Sequence, residues 1–220
     1  MCMNLFQAVI FDLDGLMVHS EPLSMKAWQQ LLAEFGYSLN VRDYPELIGM
    51  DGDTTINLLR REMNIPLSNK EIMDLHDRYW IAIAREEARA ASGLFDLVEA
   101  FKARNHRLGV ASNSRSEYVH TVLETIGLNG DFQCILTSDQ VQRGKPAPDV
   151  YLAAASCLGV KSEACLALED SPAGLKSALA AGMRCVVVPN QDLLHESYAG
   201  AFAQFSSLDA LLTDLDRVLM

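Results

Sequence analysis

Apolar residues fall along this chain in two alternating patterns. Short, nearly continuous apolar runs stand at residues 7–11 (QAVIF), 108–111 (LGVA), 134–136 (CIL), 165–168 (CLAL) and 185–188 (CVVV). A strand reads this way when both of its faces are covered, as in a parallel sheet between helix layers. Stretches of helical length and period separate the runs, at 94–104, 117–126, 149–158 and 173–181. Three of them close on a glycine, Gly127, Gly159 or Gly182, the usual residue just past a helix end. This alternation predicts an α/β fold built on a doubly wound parallel sheet.

One block breaks the alternation. Residues 18–89 carry helical periodicity at 23–35, 53–63 and 69–91, with Thr54 as a helix start and no convincing strand. The predicted organisation is a catalytic core of residues 1–17 and 90–220 with a helical cap of residues 18–89 inserted after the first strand. An insertion there is expected to stand over the carboxyl ends of the strands, where open α/β sheets bind ligands.

Composition narrows the partners. The 220 residues are half apolar and carry a formal charge of −11. That charge excludes nucleic acid as the main partner, because phosphate backbones recruit an excess of Lys and Arg. A small phosphorylated metabolite remains compatible, since it needs only a local cation or a metal. Cys2, Cys134, Cys157, Cys165 and Cys185 form no CxxC pair and are expected to be buried free thiols in a reducing compartment. Without a basic, signal-like start or a bilayer-length apolar run, the chain reads as cytoplasmic, with no membrane partner. Nothing in it specifies an oligomer, and a monomer is the expectation.

Four polar clusters follow four of the strand candidates. Asp12 and Asp14, two residues apart before Gly15, can point the same way. Like charges so placed favour a divalent cation with oxygen ligands, Mg²⁺ above others, although a turn and helix cap would use the same residues. Ser112 and Asn113 offer a hydroxyl and backbone N–H groups to a phosphate, or an ordinary helix cap. Lys145, between Gly144 and Pro146, is a point charge in a stiff turn, suited to phosphate oxygens or merely solvated. Glu169 and Asp170 are adjacent carboxylates after an apolar strand, costly without a cation, although Asp170 or Ser171 could cap the next helix. In a parallel sheet all four clusters lie along one edge, and their conjunction favours chemistry over four unrelated turns.

Asp12-Leu13-Asp14-Gly15, Ser112, Lys145 and Glu169-Asp170 together resemble the motifs of the haloacid dehalogenase superfamily, in its phosphatase branch with a helical cap. The stretches 144–149 (GKPAPD) and 169–174 (EDSPAG) look like its β-phosphoglucomutase-like and sugar-phosphatase group. The resemblance implies Asp12 as nucleophile, forming an aspartyl-phosphate, and Asp14 as acid and then base. It implies Ser112, Asn113 and Lys145 as phosphate-binding residues. It implies Mg²⁺ held by Asp12, Asp14 through its backbone carbonyl, Glu169 and Asp170.

Departures from the group's pattern select among chemistries. Ser24 stands where the similar mutases carry a cap histidine, and Ile48 and Gly52 where they carry cap cations. A phosphatase is therefore expected ahead of a phosphomutase, and a non-catalytic relative last, because Asp12, Asp14, Lys145 and Asp170 are all present. His19, where this branch often has Asp, reads as a hinge residue or a substrate contact. His76, His106, His120 and His195 form no ligand pair.

Overall fold

The computed structural model describes residues 5–40, 52–61, 63–190 and 193–220. The chain divides into two compact units, residues 1–19 with 89–220 and residues 20–88.

The first unit is a sheet of six strands in the order β3-β2-β1-β4-β5-β6, every pairing parallel. Its strands are β1 (Ala8–Phe11), β2 (Arg107–Ala111), β3 (Cys134–Leu136), β4 (Cys165–Glu169), β5 (Arg184–Val187) and β6 (Ala203–Gln204). The continuous apolar character of β1 has a direct cause. Ala8 and Ile10 face a cluster with Tyr151 and Ala154 of α6 (Asp149–Cys157) and with Leu175 and Ala178 of α7 (Pro172–Ala180). Phe11 turns the other way and meets Phe101 of α4 (Leu94–Ala103) edge-to-face at 5.9 Å. Each such aromatic burial contributes about 1.5–3 kcal/mol. The helix α5 (Ser116–Thr125) joins β2 to β3, and α8 (Leu208–Thr213) and α9 (Leu215–Leu219) end the chain. Gly127, Gly159 and Gly182 follow α5, α6 and α7 with positive φ, as the sequence predicts. β6, two residues long, has too short a pattern to be read in advance.

The segments that leave and rejoin this unit pair with each other: Val18 bridges Ala90 in antiparallel fashion, and Ala91 N–H donates to Met17 O at 2.8 Å. Val18 also bridges Asp14.

The second unit is helical: α1 (Glu21–Glu34), α2 (Gly52–Leu59) and α3 (Asn69–Glu87). Trp28, Leu31 and Leu32 of α1 pack with Ile56 and Leu59 of α2 and Ile72 of α3. α3 starts on a capping box, with Ser68 Oγ accepting from Glu71 N–H and Glu71 Oε2 accepting from Ser68 N–H at 2.7 Å. Expected helix boundaries move, and α2 ends at Leu59 rather than at 63. α2 is already running at Gly52, so Thr54 lies inside the helix, and α3 ends at Glu87 because Ala88 turns extended (φ −60°, ψ 135°). Ile48 lies outside the described residues.

The cysteine expectation is corrected. Cys134 of β3 and Cys157 of α6 form a disulfide, with Cα atoms 6.1 Å apart and a sequence separation of 23. α6 packs on β3 and sets the two side by side, a proximity that sequence spacing does not encode. Cys165 and Cys185 are buried free thiols. The inference of a reducing compartment from five free thiols therefore does not stand. Among the described residues no helix is long and apolar enough to cross a membrane.

Candidate active site

The carboxyl ends of the parallel strands gather the polar clusters. Asp12 follows β1 directly, and its N–H still bonds Leu168 O of β4 at 2.9 Å, so the sheet itself aims the residue. Glu169 ends β4 and Asp170 follows it. One oxygen from each of Asp12, Glu169 and Asp170 lies within 4.8 Å of the others, and all three residues are buried. The Lys145 ammonium enters this cluster. It pairs with Asp12 Oδ1 and lies 2.6 Å from Glu169 Oε1.

Electrostatics follow from burial and proximity. Loss of solvent raises the Asp12 carboxyl well above the usual range; Lys145 opposes this, while Glu169 and Asp14 add to it. Asp170 is raised in the same way, by burial and then by Asp12 and Glu169. Burial pulls Lys145 down, but the Asp12 and Glu169 charges outweigh it and hold the ammonium protonated above its ordinary range. Ionised together, three carboxylates against one ammonium would carry two net negative charges in a buried space, and this cost is what drives the Asp12 and Asp170 carboxyls up. A divalent cation with oxygen ligands fits that deficit and that donor set.

Two glycines make room for the carboxylates. Gly15 has φ +83°, and a Cβ there would stand 1.9 Å from Asp170 Oδ2. A Cβ on Gly174 would stand 1.9 Å from the carboxylate carbon of Glu169.

Asp14 stands in a different surrounding. Its Oδ2 accepts from Ser112 Oγ at 3.2 Å and from Ser114 Oγ at 2.8 Å, and its Oδ1 accepts from Tyr118 OH at 3.1 Å. Ser112 is fully buried, and its Oγ also accepts from Ser114 N–H at 2.9 Å. Its one hydroxyl proton is thus directed at Asp14. The Asn113 side chain is turned to the Lys145 loop, where it bonds both backbone polar groups of Lys145. Asp12, Lys145, Glu169 and Asp170 are therefore brought together directly, while Ser112 bonds Asp14 and Asn113 bonds the lysine loop. His19 is exposed.

Sequence reasoning passed over two tyrosines. Tyr118 and Tyr151 are each the third residue of the helix that follows a strand end, α5 and α6. Tyr151 OH donates to Glu169 Oε1 at 2.6 Å, and its ring lies 5.0 Å under the Lys145 ammonium. Burial first, and then Glu169, raise the Tyr151 hydroxyl well above its ordinary pKa, which keeps it a donor. Gly174 is the third residue of α7. Side chains tilt toward a helix N-terminus, so this position looks back at the strand ends. Asn190, buried beyond β5 with its Nδ2 3.3 Å from where a Gly15 Cβ would lie, was findable by the strand-end rule already applied to the other clusters.

The chain is similar to known proteins over most of its length. Hexitol phosphatase B of Escherichia coli is 32% identical over 208 residues, covering 93% of each chain. The crystal structure of CbbY from Rhodobacter sphaeroides in complex with phosphate superposes with a TM-score of 0.86 at 30% identity, covering 96% of this chain and 99% of that one. A mutant CbbY in complex with xylulose-(1,5)bisphosphate gives a TM-score of 0.84 at 29% identity, covering 94% and 96%. Residues 9–188, which span the strands β1 to β5 and every cluster described above, match the haloacid dehalogenase-like hydrolases, and the chain belongs to that family.

Proposed function

We propose that the chain is a Mg²⁺-dependent phosphatase that hydrolyses a small phosphorylated sugar or polyol through an aspartyl-phosphate. The observation that carries this reading is the Lys145 ammonium between Asp12 and Glu169, inside a buried cluster of three carboxylates. The reading keeps residues 1–17 and 90–220 as catalytic core and residues 18–89 as cap.

Asp12 attacks phosphorus; the bond to the leaving oxygen breaks, and Asp14 gives that oxygen its proton. Asp14 then takes a proton from water, whose oxygen attacks phosphorus, freeing Asp12 and inorganic phosphate. Lys145 holds charge on the phosphoryl oxygens and on Asp12. Ser112 and the Asn113 N–H bind phosphate oxygens; for Ser112 this means redirecting the proton now given to Asp14. Asp12, Glu169 and Asp170, with the Asp14 carbonyl, would hold Mg²⁺, which supplies neutralisation of the repulsion between phosphate and carboxylate.

The test is turnover of p-nitrophenyl phosphate and a panel of hexose, pentose and hexitol phosphates, with Mg²⁺ and after treatment with EDTA. Turnover that survives EDTA overturns the metal assignment, and no turnover of any monoester overturns the phosphatase. The CbbY complex with a sugar bisphosphate favours one second reading, a bisphosphate substrate. A tenfold preference in kcat/KM for a bisphosphate over its monophosphate would select it.

A further inference from the structure

Three hydroxyls, those of Ser112, Ser114 and Tyr118, bond the Asp14 carboxylate. Ser112 Oγ is shared with the proposed phosphate site. Ser114 Oγ makes the shortest of the three bonds to Asp14, at 2.8 Å, and Tyr118 OH takes the other oxygen at 3.1 Å. Both are anchored. Ser114 N–H bonds Ser112 Oγ at 2.9 Å, and Ser114 O accepts from Ser138 N–H at 3.2 Å. Tyr118 is buried in the first turn of α5, and the start of that helix is tied down by Ser116 N–H on Asp139 Oδ1 at 3.1 Å.

We propose that Ser114 and Tyr118 are positioning residues that fix the direction in which Asp14 exchanges its proton with the leaving group and with water. The inference rests on the reading of Asp14 as acid and base. Between them the two hydroxyls engage both carboxyl oxygens and restrict rotation about the side-chain bonds. They do so without charge. A hydroxyl donates to a carboxylate and can go on donating to a carboxylic acid, which keeps acceptor capacity, so both bonds can persist while the single acid proton is left to the leaving group. The buried Tyr118 hydroxyl needs a partner in any case, so a purely structural pairing is the competing explanation.

The experiment uses leaving groups. Departure of p-nitrophenol needs little help from an acid, whereas p-methoxyphenol needs much. kcat/KM is measured over a series of aryl phosphates between these limits for wild type, Tyr118→Phe, Ser114→Ala, Ser114→Thr and Asp14→Asn. Loosening the acid forfeits part of the typical 10²–10⁴-fold of acid–base catalysis. Tyr118→Phe and Ser114→Ala should therefore lose about tenfold on p-methoxyphenyl phosphate and about threefold on p-nitrophenyl phosphate. Ser114→Thr, which keeps the hydroxyl, should restore the wild-type dependence. Equal losses across the series in both Tyr118→Phe and Ser114→Ala, beside a steepened dependence in Asp14→Asn, overturn the positioning role alone. A flat dependence in Asp14→Asn overturns the acid assignment and this inference with it.

Discussion

Both backbone polar groups of Lys145 end on one side chain, the amide of Asn113. Lys145 N–H donates to Asn113 Oδ1 at 2.7 Å, and Lys145 O accepts from Asn113 Nδ2 at 3.1 Å. The side chain after β2 thus sets the position of a loop more than thirty residues on, and with it the ammonium between Asp12 and Glu169. Asn113→Ala removes two hydrogen bonds that are exposed and so worth about 1 kcal/mol together. kcat should fall about fivefold, while the fold is kept. Asn113→Asp loses only the donor and should fall between the two. Steady-state kinetics check this, and an unchanged kcat in Asn113→Ala would show that the Lys145 loop holds its own shape.

The three-carboxylate cluster ties metal to stability as well as to turnover. Asp12→Asn should lose essentially all activity, because an amide is no anionic nucleophile; retention of more than about a tenth of kcat, under ~1.4 kcal/mol of barrier, would sink the assignment. The same substitution removes a buried charge and its repulsion from Glu169 and Asp170, which together outweigh the lost pair with Lys145. Without metal, Asp12→Asn should therefore melt no lower than wild type. In wild type, Mg²⁺ at a hundred times its Kd should add about 2.7 kcal/mol, a rise of about 5–10 °C in Tm for a chain of this size. In Asp12→Asn the rise should shrink, and scanning calorimetry with and without Mg²⁺ reads both effects.

Asp14 is separable from the metal cluster. Its carboxylate is engaged by Ser112, Ser114 and Tyr118, and its proposed metal contact is the backbone carbonyl. Asp14→Asn should keep the Mg²⁺-induced rise in Tm while kcat falls by about 10²–10⁴-fold. Loss of the thermal response with chemistry intact would reverse the roles given to this residue.

How far the sequence reaches depends on what chain continuity encodes. An apolar run tells where a strand ends, so Asp12, Ser112 and Glu169 were legible as neighbours on one sheet edge. It does not tell which residue of the following helix looks back at that edge. Tyr118 and Tyr151 were missed because one aromatic in an amphipathic helix has no periodic signature of its own. The Cys134–Cys157 pairing depends on α6 packing against β3, and β6 is shorter than any pattern. The side chain of Asn113 was read through its backbone N–H, because its true partner lies 32 residues away.

The third-residue rule gives the last expectation. Gly174 lies inside α7 without a positive φ, where alanine is ordinarily the better helix former by about 1 kcal/mol. Propensity alone therefore says Gly174→Ala stabilises. Packing says the reverse. The new methyl would meet the carboxylate of Glu169 at 1.9–2.1 Å, and Glu169 is fully buried between Lys145 and Tyr151, with no space to yield. Overpacking of this kind costs typically about 1–3 kcal/mol, occasionally more, and at so short a distance the upper end applies, so packing wins. Tm should fall by about 3–8 °C and Mg²⁺ affinity should weaken with it, because the residue displaced is a proposed ligand. Calorimetry and a Mg²⁺ titration monitored by tryptophan fluorescence or heat would show both changes. A Gly174→Ala protein that melts higher than wild type and binds Mg²⁺ as well would mean that Glu169 has an alternative position, and that its bonds to Lys145 and Tyr151 do not confine it.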